Sequence, residues 1–277
     1  MNLLEKILNC KNEDIEKIIT EEINIANKNS IKVRQLGFLG TGINEPVFKG
    51  FIPLETKIKY TNIALETYSM NTIDFFYEFA RYIRKYNINN KALIVYNLEQ
   101  FINIYFGLPS DRKREEIFNE LAWNSTKTDE EYFRILENNK IGDLKGSSAA
   151  KCTERSALAQ QILSLFGFEV YYCIGSIKKD KLNEFHCFNI VKRKNDYAIL
   201  DYSIPVMINY SNDNVQSYLP FIGIISNEEF KSFVNEGIIK EFSDYKYINS
   251  KKQILDSIRC YNIGIEKLEN IKSDIKR

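Results

Sequence analysis

The segment between residues 146 and 205 constrains the fold more than any other part of the chain. A loop of small and polar residues leads into CTERSALAQQILSLFG, where apolar residues recur at helical spacing up to a glycine suited to a helix C-terminus. Three β-like runs follow, predicted at 169–177, 185–191 and 197–201. One helix followed by strands with short polar turns predicts an antiparallel meander packed on that helix, and hence an α+β fold.

The rest of the chain adds helices on both sides of this segment. Residues 3–25 and most of 61–139 have helical periodicity, whereas glycines and prolines punctuate short β-like runs from residue 30 to about 60. Further helices are predicted near residues 73–86, 91–106, 112–122, 129–138, 227–235 and 251–263.

This pattern divides the chain into three regions. We expect an N-terminal region of mixed helix and strand at 1–89, which is a candidate recognition appendage. The central region at 90–225 contains the helix and the meander, and a C-terminal segment at 226–277 packs on it.

Composition and charge limit the class of protein. The chain has 277 residues, of which 44% are hydrophobic, which is ample for a buried core. A formal net charge of +1 provides no global field to attract nucleic acid or an anionic membrane. Charged residues interrupt every apolar stretch near the N-terminus, so no signal peptide is expected. We therefore expect a cytoplasmic protein without nucleic-acid or membrane partners; the alternative is export by a route without a cleaved signal.

Five cysteines and a single histidine limit the chemistry. An odd number of cysteines in a long chain without a secretion signal argues against a disulfide framework. One histidine and no CxxC pair cannot assemble a Cys/His zinc site of the usual spacing. We therefore expect neither a metal nor a cofactor. Cys173 and Cys187, which fall in predicted strands, are expected to fill core space.

Cys152 differs from the other cysteines because it falls at the start of the predicted helix. The unpaired N–H groups and partial positive charge of a helix N-terminus favour a thiolate and lower a thiol pKa from about 8.5. Gly146, Ser147 and Ser148 let the backbone approach a substrate closely, which makes the Cys152 N–H a candidate oxyanion donor. The sequence thus predicts Cys152 as a nucleophile.

His186 is the only available imidazole partner for that thiolate. Strand alternation puts His186 and Phe188 on one face. If the next turn is centred on Arg193 and Lys194, opposed residue numbers sum to 387, which pairs His186 with Asp201 (186 + 201 = 387). A turn shifted by one residue makes the pair diagonal and still within reach. Nucleophile, base and orienting carboxylate in this order predict a Cys–His–Asp triad.

The segment 146–205 resembles the transglutaminase-like superfamily. The family pattern has a cysteine at the start of a helix ending in Leu-x-x-x-Gly, then a strand, then His with an aromatic residue two positions on, and a strand ending in Leu-Asp. The chain reads KCTERSALAQQILSLFGFEVYYCIGS, then FHCFNIV, then YAILDYSIPV. It lacks the glycine that commonly stands one or two residues before the family cysteine, and His-Cys-Phe replaces the usual His-Ala-Trp.

The resemblance, which covers about 60 of 277 residues, implies a papain-like catalytic core at 90–225. It also implies Cys152 as nucleophile, His186 as base and Asp201 as the orienting group. We expect a cysteine-dependent hydrolase, a protease or glutamine amidase, that acts on protein or peptide substrates through a thioester. The alternatives are acyl transfer to amines, as in transglutaminases and N-acyltransferases, and a non-catalytic protein-binding module.

Each of these residues also has a purely structural interpretation. Cys152 would be a small buried hydrophobe, His186 a core histidine with its hydrogen bonds satisfied, and Asp201 the cap of a turn before Tyr202. Trp123 lies 29 residues before Cys152 (152 − 123 = 29), and core packing explains it better than the oxyanion role of a tryptophan in cross-linking family members.

Overall fold

The structure is a computed structural model, and it describes residues 1–29, 34–35, 38–39, 43–44, 47–49, 70–110, 112–113, 116, 145–179, 182–203, 206–210, 215–219, 221–236 and 238–239.

The helices of the described residues flank the sheet on both of its faces. They are α1 (Leu3–Asn9), α2 (Ile15–Asn29), α3 (Met70–Lys85), α4 (Lys91–Phe106), α5 (Cys152–Leu165) and α6 (Asn227–Glu236), with a short 3-10 helix at Asn12–Asp14. The predictions of helices near 73–86, 91–106 and 227–235 are confirmed. Those near 112–122, 129–138 and 251–263 lie almost wholly outside the described residues.

A largely antiparallel sheet forms the centre of the fold. Its strands, in spatial order, run β1, β4, β5, β6, β7 and β10, and β11 adds to β5 as the parallel strand. Two separate hairpins pair β2 with β3 and β8 with β9. The strands are β1 (Arg34–Gln35), β2 (Phe38–Leu39), β3 (Ile43–Asn44), β4 (Val47–Lys49), β5 (Val170–Lys179), β6 (Leu182–Lys192), β7 (Tyr197–Leu200), β8 (Val206–Tyr210), β9 (Val215–Leu219), β10 (Phe221–Ile225) and β11 (Ile238–Ile239). Helices with an antiparallel meander confirm the α+β prediction.

The two faces of β5, β6 and β7 pack against different partners. Tyr172, Cys187 and Leu200 belong to one apolar cluster with buried residues of α1 to α5. On the other face the rings of Tyr197 and Phe230, a residue of α6, stack with centroids 4.0 Å apart. The described helices α1 to α3 of the N-terminal region therefore share a core with the strands, while the recognition role predicted for residues 1–89 stays a prediction. Among the described residues, no helix has the length and apolar character that crossing a bilayer requires.

The register of β6 on β7 differs from the predicted one. Ile190 lies opposite Ile199, so opposed numbers sum to 389 (190 + 199 = 389) instead of 387. The reason is the turn, where the Arg193 N–H donates to the Asp196 carbonyl at 2.8 Å and moves the centre one residue along the chain. The prediction that His186 stands directly opposite Asp201 is wrong: continued beyond its last pair, Asn189 with Leu200, this register would make the two positions diagonal.

Candidate functional site

Cys152 is the first residue of α5, as the sequence predicted. Its side chain is half-buried and packs against the apolar cluster. The backbone N–H of Lys151, the N-cap residue, donates to Glu154 Oε2 at 2.8 Å, which satisfies one of the donors at this end of the helix. The thiol therefore lies at a capped helix N-terminus, where the positive end of the helix dipole favours a negative charge.

The helix that carries Cys152 is buried on all sides. Residues 154 to 163 are all buried, so the apolar stripe predicted for this helix is only one of several covered faces. The buried set includes polar side chains that an ordinary surface helix would expose to water. They are Glu154, Arg155, Ser156, Gln160 and Gln161.

Hydrogen bonds join α5 to the sheet one turn after the nucleophile. Ser156 Oγ donates to the Cys187 carbonyl at 3.0 Å, and Asn189 Nδ2 donates to the Ser156 carbonyl at 3.0 Å. Because residues four apart share a helix face, Cys152 and Ser156 lie on the same side of α5. Cys187 and Cys173 are both buried, which confirms the prediction that they fill core space.

Tyr172 is a fully buried phenol of β5 whose environment includes the thiols of Cys187 and Cys152. Burial, and then the neighbouring thiols of Cys187 and Cys152, raise the pKa of Tyr172 well above its ordinary value. The phenol therefore keeps its proton at neutral pH. A protonated hydroxyl can donate a hydrogen bond to a thiolate or to an oxyanion.

The loop that precedes Cys152 is fastened to the end of α4. Gly146 N–H donates to the Tyr105 carbonyl at 2.8 Å, and Ser148 N–H donates to the Phe106 carbonyl at 2.7 Å. Gly107 has a φ of +83°, and a Cβ at this position would lie 2.4 Å from Ser148 Oγ. Ser148 itself has a φ of +60°, a conformation that costs a non-glycine residue energy and often occurs at functional sites.

A buried polar cluster, the Arg155 network, lies between α4 and α5. Arg155 Nε donates to the Ala150 carbonyl at 2.8 Å, Nη1 donates to Asn103 Oδ1 at 2.7 Å, and Nη2 donates to the Gly107 carbonyl. Asn103 Nδ2 continues the chain to Glu99 Oε1 at 2.9 Å. Glu99 and Arg155 are both fully buried.

Burial dominates the electrostatics of the Arg155 network. It lowers the pKa of Arg155 to about 10, against the opposing charges of Glu99, Glu154 and Asp201, so the guanidinium remains positive at neutral pH. Burial also raises the pKa of Glu99 well above its ordinary value, although Arg155 and Asn103 oppose the shift. Sequence reasoning assigned no role to these residues. No sequence pattern singled them out, because α5 also contains other polar residues, among them Glu154 and Gln160.

Asp201 is buried at the end of β7, with 1% of its surface exposed. Its Oδ1 accepts hydrogen bonds from the Ser203 N–H at 2.8 Å and the Ser203 hydroxyl at 2.5 Å, so Asp201 caps a turn, as its structural interpretation predicted. Its charge also acts on Glu99 and Arg155. Asp201 therefore shares the electrostatic environment of Arg155, a residue of the helix that carries Cys152.

The backbone of His186 lies in β6, opposite Gly175 of β5. Strand parity assigns position 186 to the face of Phe188 and position 187 to the face that packs on α5. The side chain of His186 lies outside the described part of the structure, as does Trp123, so the predicted contact of His186 with Cys152 stays a prediction.

No family model, no curated protein and no solved structure matches the chain. The resemblance to the transglutaminase-like superfamily therefore rests on the residues of the 146–205 segment alone.

Proposed function

We propose that the protein is a cysteine-dependent hydrolase with a papain-like core, in which the Cys152 thiolate attacks a carboxamide or peptide carbonyl of a protein substrate. The observation that carries this proposal is the position of Cys152. It is the first residue of a central, fully packed helix, and that helix lies against a meander whose strands contain His186 and end next to Asp201.

The other described cysteines lack this setting. Cys173 and Cys187 are buried in strands, and burial raises the pKa of the Cys173 thiol, which disfavours its thiolate. Cys10 is half-buried like Cys152, but it follows the C-terminal end of α1, where the helix dipole opposes a negative charge. Cys152 alone among these four combines partial exposure with a helix N-terminus.

The proposed reaction has two stages. The Cys152 sulfur bonds to the substrate carbonyl carbon, the C–N bond breaks, and the leaving amine takes a proton from the His186 imidazolium. Water then attacks the thioester, His186 accepts its proton, and the carboxylic acid product leaves as the thiolate is restored. In this scheme Asp201 orients the imidazole, and the Cys152 N–H stabilises the oxyanion.

The scheme makes one structural demand on β6. The imidazole at position 186 must reach the α5 side of the sheet, although strand parity assigns the position to the opposite face. The ladder of β6 with β7 ends at Asn189, so position 186 lies beyond the last pair on that side. At position 186 the strand pairs with Gly175 of β5 alone among the described residues, and two-stranded ribbons twist more strongly than wider sheets.

Thiol labelling tests the nucleophile without knowledge of the substrate. Limiting iodoacetamide followed by peptide mapping should modify Cys152 first, and Cys10 serves as the matched half-buried thiol. Preferential labelling of Cys10 by the folded protein would count against the proposal.

A panel of glutamine-containing proteins then tests the reaction. Mass spectrometry separates cleavage from deamidation and from cross-linking, and so separates hydrolysis from acyl transfer to amines.

Cys152→Ala should abolish turnover and His186→Ala should remove nearly all of it, because both act in the same steps. Asp201→Asn should cost less, since an amide still orients the ring. The double variant of Cys152 and His186 should be no worse than Cys152→Ala. A folded Cys152→Ala protein with wild-type turnover would refute the assignment.

A further inference from the structure

Arg155 connects three segments that meet beside Cys152. It belongs to α5, it bonds the Ala150 carbonyl in the loop before the nucleophile, and it bonds the Gly107 carbonyl at the end of α4. Its guanidinium also lies over the Phe106 ring, with the carbon 5.7 Å from the ring centroid. One planar side chain thereby fixes the loop and both helices relative to each other.

The Ala150 contact acts directly on the backbone that presents the thiol. Ala150 lies two residues before Cys152, and the next carbonyl, that of Lys151, accepts the Arg155 N–H at 3.0 Å. The bond to Lys151 is the ordinary backbone bond of the first helical turn, so the Arg155 side chain itself holds only the Ala150 carbonyl. Because that carbonyl lies one peptide group before the one that ends in the Cys152 N–H, the bond restricts how this turn can move.

A buried cation is a costly way to hold two helices together. Apolar residues of similar volume often replace buried ion pairs with equal or better stability, so packing alone gives no reason for an arginine at this position. Three carboxylates, those of Glu99, Glu154 and Asp201, act on the guanidinium, and all three are buried. Asp201 is the proposed orienting group, so the guanidinium and the proposed triad share one electrostatic environment.

We propose that Arg155 is a positioning residue of the Cys152 centre, which fixes the turn before the nucleophile by binding the Ala150 and Gly107 carbonyls. This inference rests on the proposed function. It assigns no contact between Arg155 and substrate; the side chain acts through the backbone of the turn.

The test is the pH dependence of Cys152 alkylation by iodoacetamide, measured on the full chain by peptide mapping. Arg155→Gln should slow alkylation at neutral pH about 10- to 100-fold, the range typical for loss of a supporting hydrogen-bond partner. Its profile should also move to higher pH. Arg155→Lys retains the charge without the planar fork, so it should slow alkylation with a smaller displacement of the profile. Asn103→Ala leaves the Ala150 and Gly107 contacts in place and should have the smallest effect.

Leu163→Ala is the matched control, because Leu163 is fully buried on the same helix but lies near its other end. It should lower stability and leave the alkylation profile of Cys152 unchanged. Arg155→Gln can unfold the chain by leaving buried carboxylates unpaired. In that case the alkylation rate and pH profile of Arg155→Lys decide the question. A folded Arg155→Lys protein with the rate and profile of Leu163→Ala overturns this inference and leaves the proposed function intact. A wild-type Cys152 no more reactive than Cys10 overturns the proposed function itself.

Discussion

The two sides of α4 bury different chemistry. Toward α3, the helix presents aromatic rings: the Phe75 centroid lies 5.2 Å from that of Phe101 and 4.9 Å from that of Tyr105. Toward α5, the same helix presents Glu99 and Asn103 to the guanidinium of Arg155. Glu99 and Arg155 are as fully buried as Phe75, so burial alone does not distinguish the two sides.

The two sides of α4 differ in what a substitution changes. Apolar burial is non-directional and roughly proportional to area, so an altered ring loses stability and leaves distant geometry intact. A buried polar network is directional, and removal of one member leaves its partners unsatisfied and their positions undefined. We therefore expect the aromatic side to determine how stable the fold is and the polar side to determine how Cys152 is presented.

The largest effect on stability is expected on the aromatic side. Phe75→Ala removes a fully buried ring that contacts rings on both α3 and α4, and should cost about 3–5 kcal/mol of unfolding free energy in urea titrations. Under conditions where the variant remains folded, Cys152 should be alkylated at the wild-type rate. A slower rate would show that the two sides of α4 are not separable.

Gly107→Ala should affect both stability and reactivity. An alanine there must adopt the left-handed conformation and bring its Cβ to 2.4 Å from Ser148 Oγ, which together should cost about 2–3 kcal/mol and displace the loop before Cys152.

Gly167→Ala is the matched control for that change. Gly167 also has a positive φ, of +77°, but its added Cβ would meet only the end of the flexible Lys91 side chain, at 3.3 Å. Gly167→Ala should lower the unfolding free energy by about 1 kcal/mol and leave the rate of Cys152 alkylation unchanged. Equal effects of the two variants on alkylation would contradict the role given to the Gly107 contact.

The effect with a pH signature is expected for Glu99→Gln. Burial raises the pKa of Glu99 in the folded state above its ordinary 4.5. The protonated acid therefore makes its full contribution to folding stability below pH 4.5, and this contribution is lost as the pH rises toward the pKa of the folded state. Glutamine cannot ionise, so the unfolding free energy of the variant should rise relative to that of wild type as the pH rises, by at most about 1.4 kcal/mol per pH unit.

Urea titrations of both proteins between about pH 5 and about pH 8 measure this difference. Glu13→Gln, which replaces an exposed carboxylate, should show no such trend. A constant difference between Glu99→Gln and wild type over this range would mean that Glu99 is ionised throughout.

Local sequence signals predicted the elements more accurately than their contacts. The helix predicted at 91–106 was found at Lys91–Phe106, and Gly167 follows α5 with the positive φ expected of a C-cap glycine. Periodicity and capping act over a few neighbouring residues, so the sequence contains the information they require. The register of β6 on β7 depended on the internal geometry of a turn, and a shift of one residue was enough to make it wrong.

The Arg155 network could not be predicted for a similar reason. Glu99, Asn103 and Arg155 are separated by up to 56 residues (155 − 99 = 56), and their contact depends on the crossing of two helices. A helical wheel assigns a charged residue of an apolar helix to the face exposed to solvent. Only the packing of α5 against both α4 and the sheet reveals that no such face exists.

The attachment of the Cys152 loop to the end of α4 has an evolutionary consequence. The chain leaves α4 at Gly107 and returns at Gly146, which bonds the carbonyl of Tyr105. The two ends of the intervening stretch are therefore adjacent, and insertions between them need not move the nucleophile. The length of the chain between these two ends can therefore change in evolution while backbone hydrogen bonds keep the Cys152 loop on the end of α4.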